Sequence, residues 1–342
     1  KIPPNFAIVA TRCARALAAL DPERTPTDLG ALLDRVRSMF SSTSTGWIND
    51  GMSDWVHYDI YTPDMYLFAE PLIDELGDEW QNGLATVLDD LDQIAQPGGS
   101  IVWGRSIGAL GMAITIELAA TSVGRNVGST QDRWLTRASE TFDDLLAWFP
   151  NGVIAAHQRR AAMFYRGPSR RLQMTLDIYG KILLAAIELR RRPDVRSADP
   201  GAAWQPAERF IHFAGPGELA NATLWSFRSK ALSFALPTLF GFSADYGPSP
   251  RGSGLIEQPT SGHPVMLPVI NPIPEPDIGG SNEKPLIPAG LPTSVEHTPG
   301  TLTVVHQGWA EAGSSDITVD GTRTCTYRVE GRSLQVEELL EF

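Results

Sequence analysis

A mainly α-helical chain, an (α/α)-toroid followed by a small antiparallel β domain, is the fold that three observations predict. Apolar residues recur at helical spacing in successive segments from Asn5 to about residue 240. Short links join those segments, which makes neighbouring helices antiparallel and able to pack as inner and outer layers. After Phe242 the helical period vanishes into a Pro/Gly-rich stretch, and alternating runs that read as strands follow it. The division expected is 1–242 for the toroid, 243–300 for linker and loops, and 301–342 for the β unit. The helix pairs are too few for a complete ring.

The elements follow in order. Phe6, Val9, Ala10, Ala14 and Leu17 carry a first helix that Asp21-Pro22 breaks. Thr25 or Thr27 is placed to cap a second, built on Leu29, Leu32, Leu33, Val36 and Met39. Pro63 stands in the first turn of the next, where its missing N–H costs nothing, and Gly77 turns that segment into an amphipathic helix from Trp80 to Ile94. Ile101–Ser106 leads into a helix reaching about Ser122 that is apolar nearly all round and therefore central. Helical patterns follow at about 130–148, 170–191 and 221–236, and short strands at 301–306, 316–319, 322–330 and 333–336.

Composition narrows the function. With 342 residues the chain can bury a full core. A net charge of −12 argues against a nucleic-acid or anionic-membrane partner, and no apolar run is long enough to span a bilayer. The opening KIPPNFAIVA lacks a signal-peptide layout and begins without Met, which reads as a fragment or a processed form. Cys13 and Cys325 lie far apart in no metal or redox motif, with a disulfide between them left open. Gly98-Gly99 lacks the Gly-Lys of a phosphate loop, and no His/Asp/Glu spacing suggests a metal, so neither cofactor nor metal is expected.

One stretch stands apart. GWINDGMSDWVHYDIYTPDMY, residues 46–66, packs four Asp, three Tyr, two Trp, a His and an Asn into a run too poor in aliphatics to be only the buried side of a helix. Asp50-Gly51 is a turn signal. Carboxylates, imidazole and phenols hydrogen-bond polyhydroxylated molecules, and aromatic faces stack on the C–H face of a sugar ring, so an oligosaccharide or polysaccharide is the partner expected.

The chemistry can be assigned in two ways. A glycosidase needs a proton donor for the leaving oxygen and a carboxylate that activates water or attacks. Asp50 and Asp59 are the candidates, with Asp54 behind them and Asp64 read as favouring the dipole of the following helix. A uronate lyase needs a base for the C5 proton, a task for His57, Tyr58 or Tyr61, and groups that neutralise the carboxylate, for which Arg105 and Asn5 are placed. Trp47, Trp55, Tyr58 and Trp103 supply ring faces for substrate binding. Arg105 equally suits a buried ion pair with a loop Asp. The basic cluster His157, Arg159, Arg160, Arg166, Arg170 and Arg171 reads as a solvated face, and His212 and Glu218 as structural.

Five landmarks in order, Pro3-Pro4-Asn5, GWINDG at 46–51, Asp59-Ile60-Tyr61-Thr62-Pro63, Gly104-Arg105-Ser106 and LWSFRSKALSFALP at 224–237, resemble those of the uncharacterised bacterial DUF2264 family. The resemblance covers roughly residues 3–240. It implies an (α/α)-toroid with a following β region, near glycoside hydrolases and polysaccharide lyases, some relatives looking like exo-acting β-glucuronidases. Hydrolysis of a uronate-containing glycan is therefore the activity expected, with β-elimination as the alternative. The chain departs from the family at Phe6-Ala7 and at Gly108-Ala109-Leu110, which favours a third reading, a non-catalytic carbohydrate-binding or assembly protein.

Overall fold

The computed structural model describes residues 2–24, 28–51, 58–95, 109–154, 168–197, 199, 201, 204–217, 219–238, 286–289, 291–311 and 316–342. Its helices are α1 (Pro4–Leu20), α2 (Leu29–Ser41), α3 (Tyr61–Ala69), α4 (Ile73–Leu76), α5 (Asp78–Ile94), α6 (Ala109–Arg125), α7 (Gln131–Leu146) and α8 (Pro168–Leu189). Proline opens α1 at Pro4, where no intrahelical donor is lost. Thr25 and Thr27 lie outside the described residues, and Asp28 precedes α2. The helix read as continuous from Pro63 to Leu76 is broken into α3, a 3-10 turn and α4, because Pro71 has no N–H to continue the ladder.

α1 packs on α3, α3 on α6 and α6 on α8, so these four form one row, with α2 flanking α1, α5 flanking α3 and α7 flanking α6. Every residue of α6 from Ala109 to Val123 is buried, as expected for a helix apolar nearly all round, and its one charged residue there, Glu117, is buried with the rest. Helices and two antiparallel sheets are thus present, and among the described residues no close packing of α1 on α8 joins the ends of the row.

The expectation of a helix at 221–236 is corrected. That segment forms β2 (Thr223–Arg228) and β3 (Ser233–Pro237), which join β1 (Ala207–His212) in an antiparallel sheet of order β1-β2-β3. The reason lies in its two faces. Ile211, Leu224 and Ala235 enter the helical core, while Trp225, Phe234 and Leu236 enter a second core. A strand covered on both sides reads as a continuous apolar run, and periodicity alone does not separate it from a buried helix.

The second core is closed by a sheet of β4 (Leu286–Pro288), β5 (Ser294–Thr298), β6 (Thr301–Glu311), β7 (Ile317–Glu330) and β8 (Ser333–Glu341). β5 and β4 pair in succession along one edge of β6, and β7 and β8 extend the other side. β4 and β5 fall in the stretch read as linker and loops. The three-stranded sheet is thus a middle layer between helices and C-terminal sheet. Glu208 clamps the outer junction, its Oε1 accepting from Trp225 Nε1 at 3.0 Å and Gly300 N at 2.8 Å. Both cysteines are free, Cys13 exposed and Cys325 buried. No described helix is long and apolar enough to cross a membrane.

Two charged clusters pin the helices. Lys181 of α8 donates to Asp64 of α3 at 2.6 Å and to Glu117 of α6 at 3.3 Å, all three side chains nearly solvent-free. Burial pushes the Glu117 carboxyl up to about 7 against the pull of Lys181, and raises Asp64 in the same way. Burial would lower Lys181, but the several carboxylates around one ammonium outweigh it and hold it protonated. At the end of α5, Asp92 accepts from Arg137 at 2.7 Å and Arg133 at 2.8 Å. Arg137 and Arg228 also donate to the Asp92 carbonyl, supplying donors to the carbonyl end of the α5 dipole.

Candidate functional site

The stretch beginning at Gly46 is clamped from three directions. Tyr66 Oη donates to Gly46 O at 2.6 Å and Thr62 Oγ1 to Ile48 O at 2.7 Å, both from α3. Trp47 Nε1 donates to Asp90 of α5 at 3.0 Å, and Arg209 of β1 approaches the same carboxylate at 2.9 Å. Thr45 Oγ1 donates to Phe213 O at 2.7 Å, tying the loop to the segment after β1. Gly46 is required here: its φ is +76°, and a Cβ would lie 2.7 Å from Gly83 O.

A cleft of about 630 Å³ opens between this loop and the 213–219 segment. Its floor is aromatic. Tyr58 stacks on Phe213 at 5.0 Å with an interplanar angle of 7°, and Trp47 meets Phe213 edge-on at 4.9 Å. The rest of its lining is mixed, with the polar Ser42, Thr43, Ser44 and Asn49 beside the apolar Pro4, Met39 and Leu219 and residues 214–217. Such a volume with a few convergent polar groups suits a small-molecule or sugar site.

The structure places the predicted residues unevenly. Trp47 and Tyr58 belong to the cleft, but both are buried and both pack on Phe213, so they build its floor instead of offering broad open faces for stacking. Burial pushes the Tyr58 phenol up to about 12, which makes it a poor base near neutral pH. Asp50 follows Asn49 of the lining and is 6% exposed. The local turn is held by Asn49, whose Oδ1 accepts the Gly51 N–H at 2.8 Å.

Asp59 is fully buried, and its Oδ1 accepts the Tyr61 N–H at 3.0 Å at the entry to α3. Tyr61 is half-buried against the helical core and is absent from the cleft lining. Asn5 sits beside the lining residue Pro4, its side-chain oxygen accepting the Phe6 N–H at 2.8 Å. His57, Trp55, Trp103 and Arg105 lie outside the described residues, as does Glu218. Asp64, read as an aid to the helix dipole, does lie in the first turn of α3 and is in addition the buried partner of Lys181. Among the described residues no three His, Cys, Asp or Glu side chains gather where they could hold a metal ion.

Sequence reasoning missed Phe213, the residue on which both aromatic rings converge. Its signal was the string Phe-Ala-Gly-Pro-Gly at 213–217, a ring followed by a tight turn. Gly215 matters there, since a Cβ would lie 2.9 Å from Ser44 Oγ across the cleft.

Comparison of the chain with protein-family models, with curated proteins and with solved structures gave no match.

Proposed function

We propose that the cleft binds a glycan and that the chain is a carbohydrate-active enzyme, a glycoside hydrolase acting on a uronate-containing substrate of the kind the DUF2264 resemblance suggests. The observation that carries this reading is the cleft itself, lined by the rings of Trp47, Tyr58 and Phe213 and by the polar Ser42, Thr43, Ser44 and Asn49. Asp50 is buried and stands behind this lining, next in sequence to Asn49. In this reading Asp50 exchanges a proton with the glycosidic oxygen or with the attacking water, as one of the two carboxyl groups that hydrolysis needs. Arg105 supplies the bidentate guanidinium for the uronate. No cofactor enters the reaction.

A second reading, glycan binding without catalysis, is favoured by one observation. The carboxylate of Asp59, the other candidate, is already engaged at the start of α3 and sealed from solvent.

Uronate-containing oligosaccharides separate the readings. Hydrolysis yields new reducing ends without near-ultraviolet absorbance, while elimination yields an unsaturated uronate that absorbs there. Asp50→Asn should abolish reducing-end formation and leave binding within about threefold, because the amide keeps the shape but not the proton chemistry. Ser42→Trp, at an exposed position of the lining, should block binding. Binding without either product selects the non-catalytic reading, and absence of binding to any uronate oligosaccharide overturns both.

A further inference from the structure

The loop that walls the first cleft also walls a second. Ser42 and Trp47 line only the first, Ser41 and Gly46 only the second, and Thr43 and Ser44 line both. Thr43 Oγ1 donates to Trp47 O at 3.0 Å, which folds residues 43–47 into a crest with one cleft on each side. The second cleft has a volume of about 540 Å³, and α5 supplies Asp78, Glu79, Asn82 and Thr86 to it. Because the crest is shared, a ligand longer than the first cleft that passes over Thr43 and Ser44 enters the second.

The two clefts differ in chemistry. Among the described residues, the lining of the first holds three rings and no charged side chain. That of the second holds one ring, Phe40, two carboxylates, and no Lys, Arg or His. Asp78 and Glu79 are exposed and stand in the first turn of α5, where the helix dipole suits them. Both can accept from sugar hydroxyls, and the Asn82 amide can accept and donate. A ligand carboxylate brought to contact distance of either acid is disfavoured by up to about fivefold in water. We propose that the second cleft is a further subsite of the glycan site, taking the sugar next to the one in the first cleft, and that this neighbour carries no carboxylate. The inference rests on the glycan reading of the first cleft and narrows its substrate to a uronate beside a neutral sugar, as opposed to a run of uronates.

Calorimetric titration tests this with a uronate linked to a neutral hexose, in either order, and with a uronate linked to a second uronate. The mixed disaccharide should bind about fivefold or more tighter than the diuronate. Asp78→Asn combined with Glu79→Gln keeps the shape of both side chains without their charge, so it should bring the two ligands to about equal affinity. Asn82→Ala, at an exposed helical position, should weaken the mixed disaccharide by about threefold or more and keep the helical circular dichroism. Equal binding of the two disaccharides by the unchanged chain, or preference for the diuronate, overturns the proposal. So does a preference for the mixed ligand that survives neutralisation of both acids, or indifference to Asn82→Ala. Ser42→Trp separates these failures from failure of the first cleft. Binding that Ser42→Trp abolishes and the α5 variants leave unchanged confines the ligand to the first cleft and overturns the second alone. Binding that survives Ser42→Trp, or no binding of either disaccharide, overturns the reading of the first cleft and this inference with it.

Discussion

The loop that floors the cleft depends on a contact between three residues too close for side-chain substitution. Tyr66 Oη reaches Gly46 O, and a Cβ added at Gly83 would collide with that hydroxyl. Gly83→Ala should therefore cost about 1–3 kcal/mol in urea unfolding, despite alanine's higher helix propensity. In a Tyr66→Phe background the same change should cost less by at least about 1 kcal/mol, and equal costs in both backgrounds would show that the collision is not the cause. Glu117 supplies a second prediction at this scale. Its folded carboxyl titrates near 7, above the ordinary 4.5, because burial outweighs Lys181. A raised carboxyl contributes stability that is fully present below the unfolded value and is lost as pH rises through the folded one. Relative to Glu117→Gln, which does not titrate, the native chain should lose on the order of 1–3 kcal/mol between pH 5 and pH 8. Denaturant melts at the two pH values check the sign, and a constant difference would show that Glu117 does not titrate in that window.

At the scale of elements, what the sequence displayed depended on whether one face of a segment met water. Helices α2, α5 and α7 each have an exposed face, so their apolar period stood out, and Gly77 marked the boundary before α5. In α1 the helical period was legible, but Phe6, Val9 and Leu17 are exposed, and Ala7, Ile8 and Ala14 face the core instead. β2 and β3 have cores on both sides, their alternation was hidden, and the strings Leu-Trp-Ser-Phe and Ser-Phe-Ala-Leu imitated a buried helix. The richness of residues 46–66 in rings and carboxylates did lead to the cleft through Trp47, Asn49 and Tyr58, yet sequence could not assign roles inside it. Whether an Asp faces ligand or closes a turn depends on which backbone N–H lies above it, and for Asp59 that is Tyr61. The guanidinium cluster after α5 was invisible for a similar reason, since Asp92, Arg137 and Arg228 meet only in three dimensions. Asp92→Asn leaves the buried Arg137 without its counter-charge and should cost about 3–5 kcal/mol. Arg133→Met, removing the more exposed arm of the same carboxylate, should cost less than about 1 kcal/mol. Thermal melts of the two variants test the ranking, and equal losses would mean that burial does not govern the cluster.

For the whole molecule, the middle sheet decides whether the chain behaves as one unit or two. Its strands alternate between cores: Leu224 and Ala235 point to the helices, Trp225, Phe234 and Leu236 to the C-terminal sheet, and Ser226 Oγ lies 3.4 Å from Ile94 O at the end of α5. Such a layer cannot lose one core and keep the other, because each strand contributes its side chains to both from a single backbone. The protein should therefore open cooperatively, with α6 and β7 protected by the same global free energy even though they belong to different layers. Trp225→Ala probes this directly. The ring is fully buried, meets Phe234 edge-on at 4.9 Å and donates to Glu208, so its removal should cost about 3–5 kcal/mol. Amide exchange followed on peptides from Met112–Ala120 of α6 and Thr322–Val329 of β7 should show the two losing protection by equal amounts. If β7 alone loses protection while α6 keeps that of the unchanged chain, the C-terminal sheet is a separate unit docked on the helices, and the middle sheet transmits no stability between them.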